Sequence, residues 1–205
     1  MTMKSILVEI EGKTPLLVNR FTEEQQEKAE RGSSTAMATA DKGTPLTQAT
    51  PHLYVDNKNR PVIPGPNFFS CLVESGKFHK SGKRQLTTGR ASLIPAGISV
   101  CDVESVILGP DGRPAPWVVD SRPVVNPATR GRRPCHRPRF DEWRLSFTLA
   151  VDDSMFDPQL VRTLVDDAGR RIGLGDFRPD RRGPFGQFRV IRWQVEEVVP
   201  LGKVA

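Results

Sequence analysis

Two stretches that alternate with period two enclose one that repeats with the helical period, and this order constrains the fold more than any other feature. Residues 143–151, WRLSFTLAV, place Trp143, Leu145, Phe147 and Leu149 on one face and Arg144, Ser146 and Thr148 on the other. That is the pattern of a central strand with one buried face. Asp157-Pro158 then offers an N-cap and a first-turn proline, and Leu160, Val161, Leu164, Val165 and Ala168 line one side of the helix that follows. Residues 187–195, QFRVIRWQV, return to an extended pattern, with Phe188, Val190 and the stem of Arg192 expected on one face. A strand, an amphipathic helix and a second strand in succession require a sheet with a helix packed against it.

The first half repeats the theme. Ile6, Val8 and Ile10 alternate with Leu7 and Glu9 ahead of Gly12, which predicts a buried strand. In residues 59–80, NRPVIPGPNFFSCLVESGKFHK, a short extended piece reaches Pro64-Gly65, and a helix is expected from near Pro66, carrying Phe68, Phe69, Leu72 and Val73. Residues 91–106 read as a strand or a bent pair of strands around Gly97. The resulting order is βαββαβ, which makes the expected class α+β and the expected architecture a ferredoxin-like (RRM-like) domain over residues 1–205. Two insertions interrupt it. Residues 20–58 include a polar, helix-prone stretch (22–31) that runs into small residues and is expected to be mobile. Residues 108–139 hold prolines 110, 114, 116, 123, 127, 134 and 138 without a sustained period, as expected of a long projecting loop or irregular hairpin.

Several classes are excluded. Cys71, Cys101 and Cys135 are odd in number and lie in no C-x-x-C spacing, so neither a disulfide framework nor a zinc site is expected, and a reducing cytoplasm is the default. No apolar run approaches the roughly 18–20 residues that cross a bilayer, and Glu9 and Glu11 stand where a signal peptide stays apolar. No cofactor or metal is implied. Thirty basic against 24 acidic residues give a net charge of +6, and the excess is segregated. Lys77, Lys80, Lys83, Arg84 and Arg90 stand without an acid between residues 75 and 101; six arginines, Arg122, Arg130, Arg132, Arg133, Arg137 and Arg139, do so between 121 and 140. A third cluster has seven arginines between 170 and 192 against Asp176 and Asp180. Such grouping suits a polyanionic partner.

The segment that carries most chemistry is 172–189, IGLGDFRPDRRGPFGQFR, where Gly173, Gly175, Gly183 and Gly186 surround Arg178, Arg181 and Arg182 between a helix and a strand. Glycines admit close backbone approach and positive φ, and free N–H groups beside guanidinium groups suit a phosphate chain. A dinucleotide loop is excluded because Arg178 stands where its third glycine belongs and because the loop precedes a strand instead of opening a helix. A P-loop is excluded for want of G-K-[ST]. A glycine-rich turn that only packs helix against strand is the plain alternative.

This arrangement resembles the RAMP superfamily of CRISPR-associated RNA-binding proteins, whose mark is a basic glycine-rich loop before the last strand of a ferredoxin-like domain. Pro61-Val-Ile-Pro-Gly65 before a helix is similar to the entry to the first helix in many members, although Pro66-Asn67 replaces the usual serine pair. Thr14-Pro15-Leu16-Leu17 is similar to the turn after the family's first strand. The resemblance is nearest to guide-RNA-binding backbone subunits of effector complexes. It implies that residues 108–138 act as the thumb hairpin, with Arg130, Arg132, Arg133, Arg137 and Arg139 meeting phosphates or bases. It also implies that the groove between the glycine-rich loop and the first helix holds the phosphates. Lys77, Lys80, Lys83 and Arg84, at the end of that helix, complete the candidate RNA contacts, with the helix dipole and solubility as their other use. Trp117 is a candidate for stacking or for pinning the insertion; Trp143 and Trp193 are expected to pack.

The function expected is therefore non-catalytic binding of single-stranded RNA, head to tail with copies of itself and beside other effector subunits, with single-stranded DNA as a further possible target. Two alternatives stand. One is a metal-independent endoribonuclease using His52, His79 or His136, none of which has a visible partner in the sequence. The other is a mobile-element accessory protein that uses the fold to contact a protein. Asp41 and Asp56 match no metal-dependent cleavage motif, and the pairs Asp152-Asp153 and Asp166-Asp167 read as a strand end and as an exposed helix side.

Overall fold

The computed structural model describes residues 3–22, 43–125 and 131–197. Its elements are β1 (Met3–Gly12), β2 (Leu16–Leu17), α1 (Pro45–Ala49), β3 (Val62–Pro64), α2 (Gly65–Ser75), β4 (Lys80–Ser81), β5 (Arg84–Gln85), α3 (Ile94–Gly97), β6 (Ile98–Val100) and β7 (Glu104–Val106). They continue as β8 (Val118–Val125), β9 (Arg132–Phe140), β10 (Arg144–Asp152), α4 (Pro158–Asp167) and β11 (Phe188–Glu197). The class is α+β.

The alternating segments form one antiparallel four-stranded sheet in the order β11-β1-β10-β6. Its apolar face buries Ile6, Val8, Ile10, Leu145, Phe147 and Leu149 beneath α2 and α4, which contribute Phe68, Leu72, Val161, Leu164 and Val165. Phe68 stacks on Phe147 with centroids 4.1 Å apart and planes at 8°. Full burial of one such ring stabilises by about 2–3 kcal/mol. Asp157 caps α4 by accepting the Gln159 amide at 2.8 Å. The opposite face of the sheet is polar, and its charges pair across strands: Glu11 with Arg144 and Arg189, and Glu9 with Arg192. Because β6 covers only residues 149–151 of β10, the Ser146 and Thr148 amides are satisfied by the Ser105 hydroxyl and the Asp102 carboxylate.

Four expectations are corrected. Residues 91–106 do hold two short strands, β6 and β7, but both follow Gly97 and the stretch before it is the turn α3, not extended chain. Within residues 108–138 a hairpin is present as expected, and 108–117 are irregular, but 118–125 and 132–138 are regular, since β8 and β9 form a ribbon of eight cross-strand pairs that joins β2 in a three-stranded sheet. Pro123, Pro134 and Pro138 all fall on alternate pairs of that ribbon, where a missing N–H points away from the partner strand. In β11 the pairing shifts between Glu9 and Ile10, so Ile191 is an extra residue. The bulge turns Arg192 to the polar face while Trp193 and Val195 come opposite Val8 and Ile6. Asp167 does not lie on the open side of α4; it is 9% exposed and bonded by Arg170, Arg171 and His79. The expectations for Arg130 and for residues 23–42, with Asp41, lie outside the described residues.

Candidate nucleic-acid interface

The glycine-rich segment leaves α4 through a widened turn, Ala168–Ile172, and ends it at Gly173 with φ +78°. Its amides do not wait for a ligand. Asp176 N–H donates to the Leu17 carbonyl at 2.7 Å, Gly186 N–H to Pro15 at 2.8 Å, Leu174 N–H to Gly186 at 2.9 Å and Gly183 N–H to Arg178 at 2.9 Å. The glycines are needed by this stitching. A Cβ on Gly175 would collide with the Leu17 carbonyl, one on Gly183 with the Phe177 carbonyl, and one on Gly186 with the Leu174 carbonyl; on Gly173 it would press on Pro179. The expectation of free N–H groups is corrected accordingly: the glycines shape the loop by letting backbone meet backbone within the chain.

The β8–β9 ribbon docks on this loop. Arg137, 6% exposed, donates from Nη1 to Asp176 Oδ2 at 2.6 Å, and Asn19 Nδ2 reaches the same oxygen at 3.1 Å. The Arg122 guanidinium lies 4.8 Å from the centroid of the Phe185 ring, and both Arg122 and Arg139 bond the buried Asp120. Arg139 also bonds Asp141 at 2.8 Å; bonds to Asp141 and Asp120 outweigh its partial burial and raise its pKa. Three of the ribbon's arginines are therefore held by carboxylates of the same chain. Arg132 is exposed near the far end, and Arg133 lies in β9 with its side chain outside the described set.

The remaining expected contacts divide in the same manner. Arg178 donates to the Gly175 carbonyl at 2.9 Å and lies 3.6 Å from Asp180. Arg181 is 3.5 Å from Asp180 yet 69% exposed in its side chain. Arg182 is exposed and has no carboxylate partner among the described residues. Lys77 pairs with Glu74. Lys80, Lys83 and Arg84 stand exposed on the small β4–β5 ribbon beyond α2. At its base His79 Nε2 meets Asp167 Oδ2 at 3.0 Å, and Arg171 lies over Phe78 at 4.6 Å. Burial alone would raise the Asp167 pKa, but the Arg170 hydrogen bond and the charges of Arg171, Arg170 and His79 outweigh it and the value is lowered.

Between the loop and α2 lies a cleft of about 310 Å³ lined by Asn19, Tyr54, Asn67, Ser70, Gly175 and Arg178, among others. The first turn of α2 faces it without a side-chain cap, because Pro64 stands at the capping position. Its wall is rich in donors and contains one carboxylate, Asp176, already shared between Arg137 and Asn19.

No family model matches this chain, and no curated protein matches it. Among solved structures, a chain in the cryo-EM structure of the type III-B Cmr-β bound to cognate target RNA is similar over 96% of this chain, at a TM-score of 0.53 and 13% sequence identity. The likeness is one of fold. The present chain spans 61% of the length of that chain.

With this fold in view, the polar sheet face is excluded as an aromatic stacking platform: Ser5, Leu7, Glu9 and Glu11 on β1 and their partners on β10 and β11 include no ring. Trp117, Trp143 and Trp193 pack against the core, and Trp143 Nε1 donates to Thr14. The histidines do have partners: Asp167 for His79, the Arg20 carbonyl for His52 at 2.9 Å, and Ser121 Oγ for His136 Nδ1 at 2.7 Å. Asp56 accepts the Arg60 and Lys58 amides and the Arg60 side chain, which lower its pKa and give it a turn to hold. Among the described residues no three His, Cys, Asp or Glu side chains converge as metal ligands, and no helix is long and apolar enough to cross a membrane. Sequence reasoning missed Asp176, Asp120, Asn19 and Phe177. Only the first and last had a signal, as the acid and the ring inside the glycine-rich loop.

Proposed function

We propose that this chain is a RAMP-type protein with a ferredoxin-like core that binds single-stranded RNA of the guide class through its phosphates. In this reading it lines up head to tail with copies of itself in a ribonucleoprotein effector. The observation that carries the proposal is the docking of the basic ribbon on the glycine-rich loop through Arg137–Asp176 and Arg122–Phe185. Two segments that the sequence marks separately become one support beside the cleft. The βαββαβ order with β11 and β10 flanking β1 supports the fold assignment, and the similar fold of a chain in an RNA-bound Cmr-β structure supports the class of partner.

The RNA-contacting cations in this proposal are the exposed ones: Arg181, Arg182, Arg132, Lys80, Lys83 and Arg84, with Arg178, Asn67 and Ser70 in the cleft. Arg137 and the four glycines position the loop and the ribbon. Phosphate contact of this kind releases counterions, so affinity falls steeply with salt. The test is anisotropy of a labelled, unstructured RNA over a salt series, with Arg181→Ala/Arg182→Ala beside the native chain. Removing two phosphate contacts on a single strand should reduce the log–log salt slope by roughly 1.4. No binding, or an unchanged slope, discards the proposal.

The paired histidines favour one other reading, metal-independent RNA cleavage, because Ser121–His136 and His79–Asp167 both lie on basic elements. Retention of intact RNA in chelator separates the two.

A further inference from the structure

Among the described residues only three that are not glycine have a left-handed backbone: Asn59, Phe177 and Arg182. Asparagine adopts that conformation readily, whereas a bulky aromatic does so only when its surroundings impose it. Phe177, at φ +46°, and Arg182, at φ +60°, bracket the short turn Pro179–Arg181 in the glycine-rich loop.

The surroundings of Phe177 are built to hold it so. Its N–H donates to its neighbour Asp176 at 2.8 Å, and Asp176 is fixed by Arg137 and Asn19. Its carbonyl accepts from the Phe185 N–H at 3.3 Å and lies where a side chain on residue 183 would stand, which is why that residue is Gly183. Burial does not account for the ring in full. The residue is 36% exposed, its ring centroid 6.1 Å from Phe185 with the planes tilted at 45°, whereas Phe185 beneath it is 5% exposed. A glycine would adopt this backbone without strain, and a polar residue would suit the exposure better. Both are passed over for an aromatic ring in the same short loop as the exposed side chains of Arg181 and Arg182.

We infer that Phe177 is a stacking platform for a nucleobase of the bound single strand, with Arg181 and Arg182 holding the flanking phosphates. Rings paired with cations in this manner bind single strands without reading sequence, because every base has a π-face. The inference rests on the RNA-binding reading and adds a contact with bases to a site otherwise described by its phosphates. It also gives the loop a division of labour. Arg122 and Arg137 anchor it to the ribbon, the glycines close it, and the two strained residues carry the ligand-facing groups.

The experiment compares a twelve-nucleotide uridine RNA with an abasic oligomer of the same ribose-phosphate length. Phe177→Ala is expected to weaken binding of the uridine RNA about tenfold, with an unchanged salt slope, and to leave abasic binding within about twofold. Phe177→Trp is expected to retain affinity for the uridine RNA. Phe177→Gly, which relieves the backbone strain, is expected still to melt cooperatively and to lose the affinity that Phe177→Ala loses, which separates stacking from folding. Equal effects of Phe177→Ala on both oligomers, or none on either, overturn the inference. So does a tryptophan variant no better than alanine. If Arg181→Ala/Arg182→Ala still lowers the salt slope in that case, the RNA-binding proposal stands without it; if the native chain binds neither oligomer, both fall.

Discussion

Arg137 Nη1 lies 2.6 Å from Asp176 Oδ2, and this pair, beside the Arg122–Phe185 contact, ties the β8–β9 ribbon to the glycine-rich loop across 39 positions of sequence. The arginine is nearly enclosed and its Nε has no partner, whereas the Asp176 side chain is 32% exposed and holds two further donors, Asn19 Nδ2 and the Phe177 amide.

That asymmetry makes the two halves of the pair unequal. Asp176→Ala strands an enclosed guanidinium and should cost about 2 kcal/mol, a fall in melting temperature of roughly 4–8 °C for a chain of this size. Arg137→Met leaves a carboxylate that water and its other donors still serve, and should cost about 1 kcal/mol. Urea melts of both variants check the order. Equal or reversed losses would mean that the enclosed arginine is not the costlier half of this pair to strand.

The glycines are tested by contrast. Gly183→Ala places a methyl group against the Phe177 carbonyl, backbone that cannot swing aside, and should cost more than about 3 kcal/mol or abolish folding. Gly82→Ala, at φ +60° with nothing nearby, meets only the left-handed penalty and should cost about 1 kcal/mol. Thermal melts decide. A mild Gly183→Ala would show that the loop yields, and the close packing argued for it would be wrong.

How far the sequence was legible follows from where burial imposes a period. β1, β10 and α4 each bury one face against the core, so Ile6, Val8 and Ile10, or Val161, Leu164 and Val165, repeat on schedule. The β8–β9 ribbon carries its valines as adjacent pairs, 118–119 and 124–125, and fills the rest largely with polar residues and three prolines, so its regular pairing leaves no apolar alternation to find. A bulge such as that at Ile191 depends on the partner strand and is silent in one chain. The site was legible as charge and opaque as geometry. Asp120 stands one residue before the acid-free stretch of six arginines and occupies two of them, Arg122 and Arg139. Asp167 meets His79 from 88 positions away. Which cations stay free is decided by contacts that no local window contains.

Acid should weaken the sheet through Glu11. Hydrogen bonds from Arg189 and then Arg144 hold its pKa below the ordinary 4.5. The unfolded chain therefore takes up a proton at this site before the folded one does, and unfolding gains as pH falls. The stability supplied is full above about pH 4.5 and declines below it as pH falls through the lowered folded value. Glu11→Gln removes the titration, so the gap between native and variant stability should be constant from pH 7 to 5 and narrow below 4.5. A gap unchanged down to pH 3 would mean that the two arginines do not act on this carboxylate in solution.

Cleavage is the sharpest divide between the two functional readings. Ser121 Oγ lies 2.7 Å from His136 Nδ1, close enough for proton transfer, but among the described residues no carboxylate is bonded to the other ring nitrogen to hold the tautomer that a base requires. His79 has its carboxylate, Asp167, yet among the described residues that oxygen is the histidine's only side-chain partner, and Arg170 and Arg171 occupy the other. Both constellations are incomplete in opposite ways. End-labelled RNA incubated with the protein in chelator should stay full length, with His136→Ala and His79→Ala indistinguishable from the native chain on the gel. A product band that disappears with either substitution, while RNA affinity and melting temperature stay native, would replace the binding proposal with the nuclease reading, because lost proton transfer by that imidazole would then account for the lost cleavage.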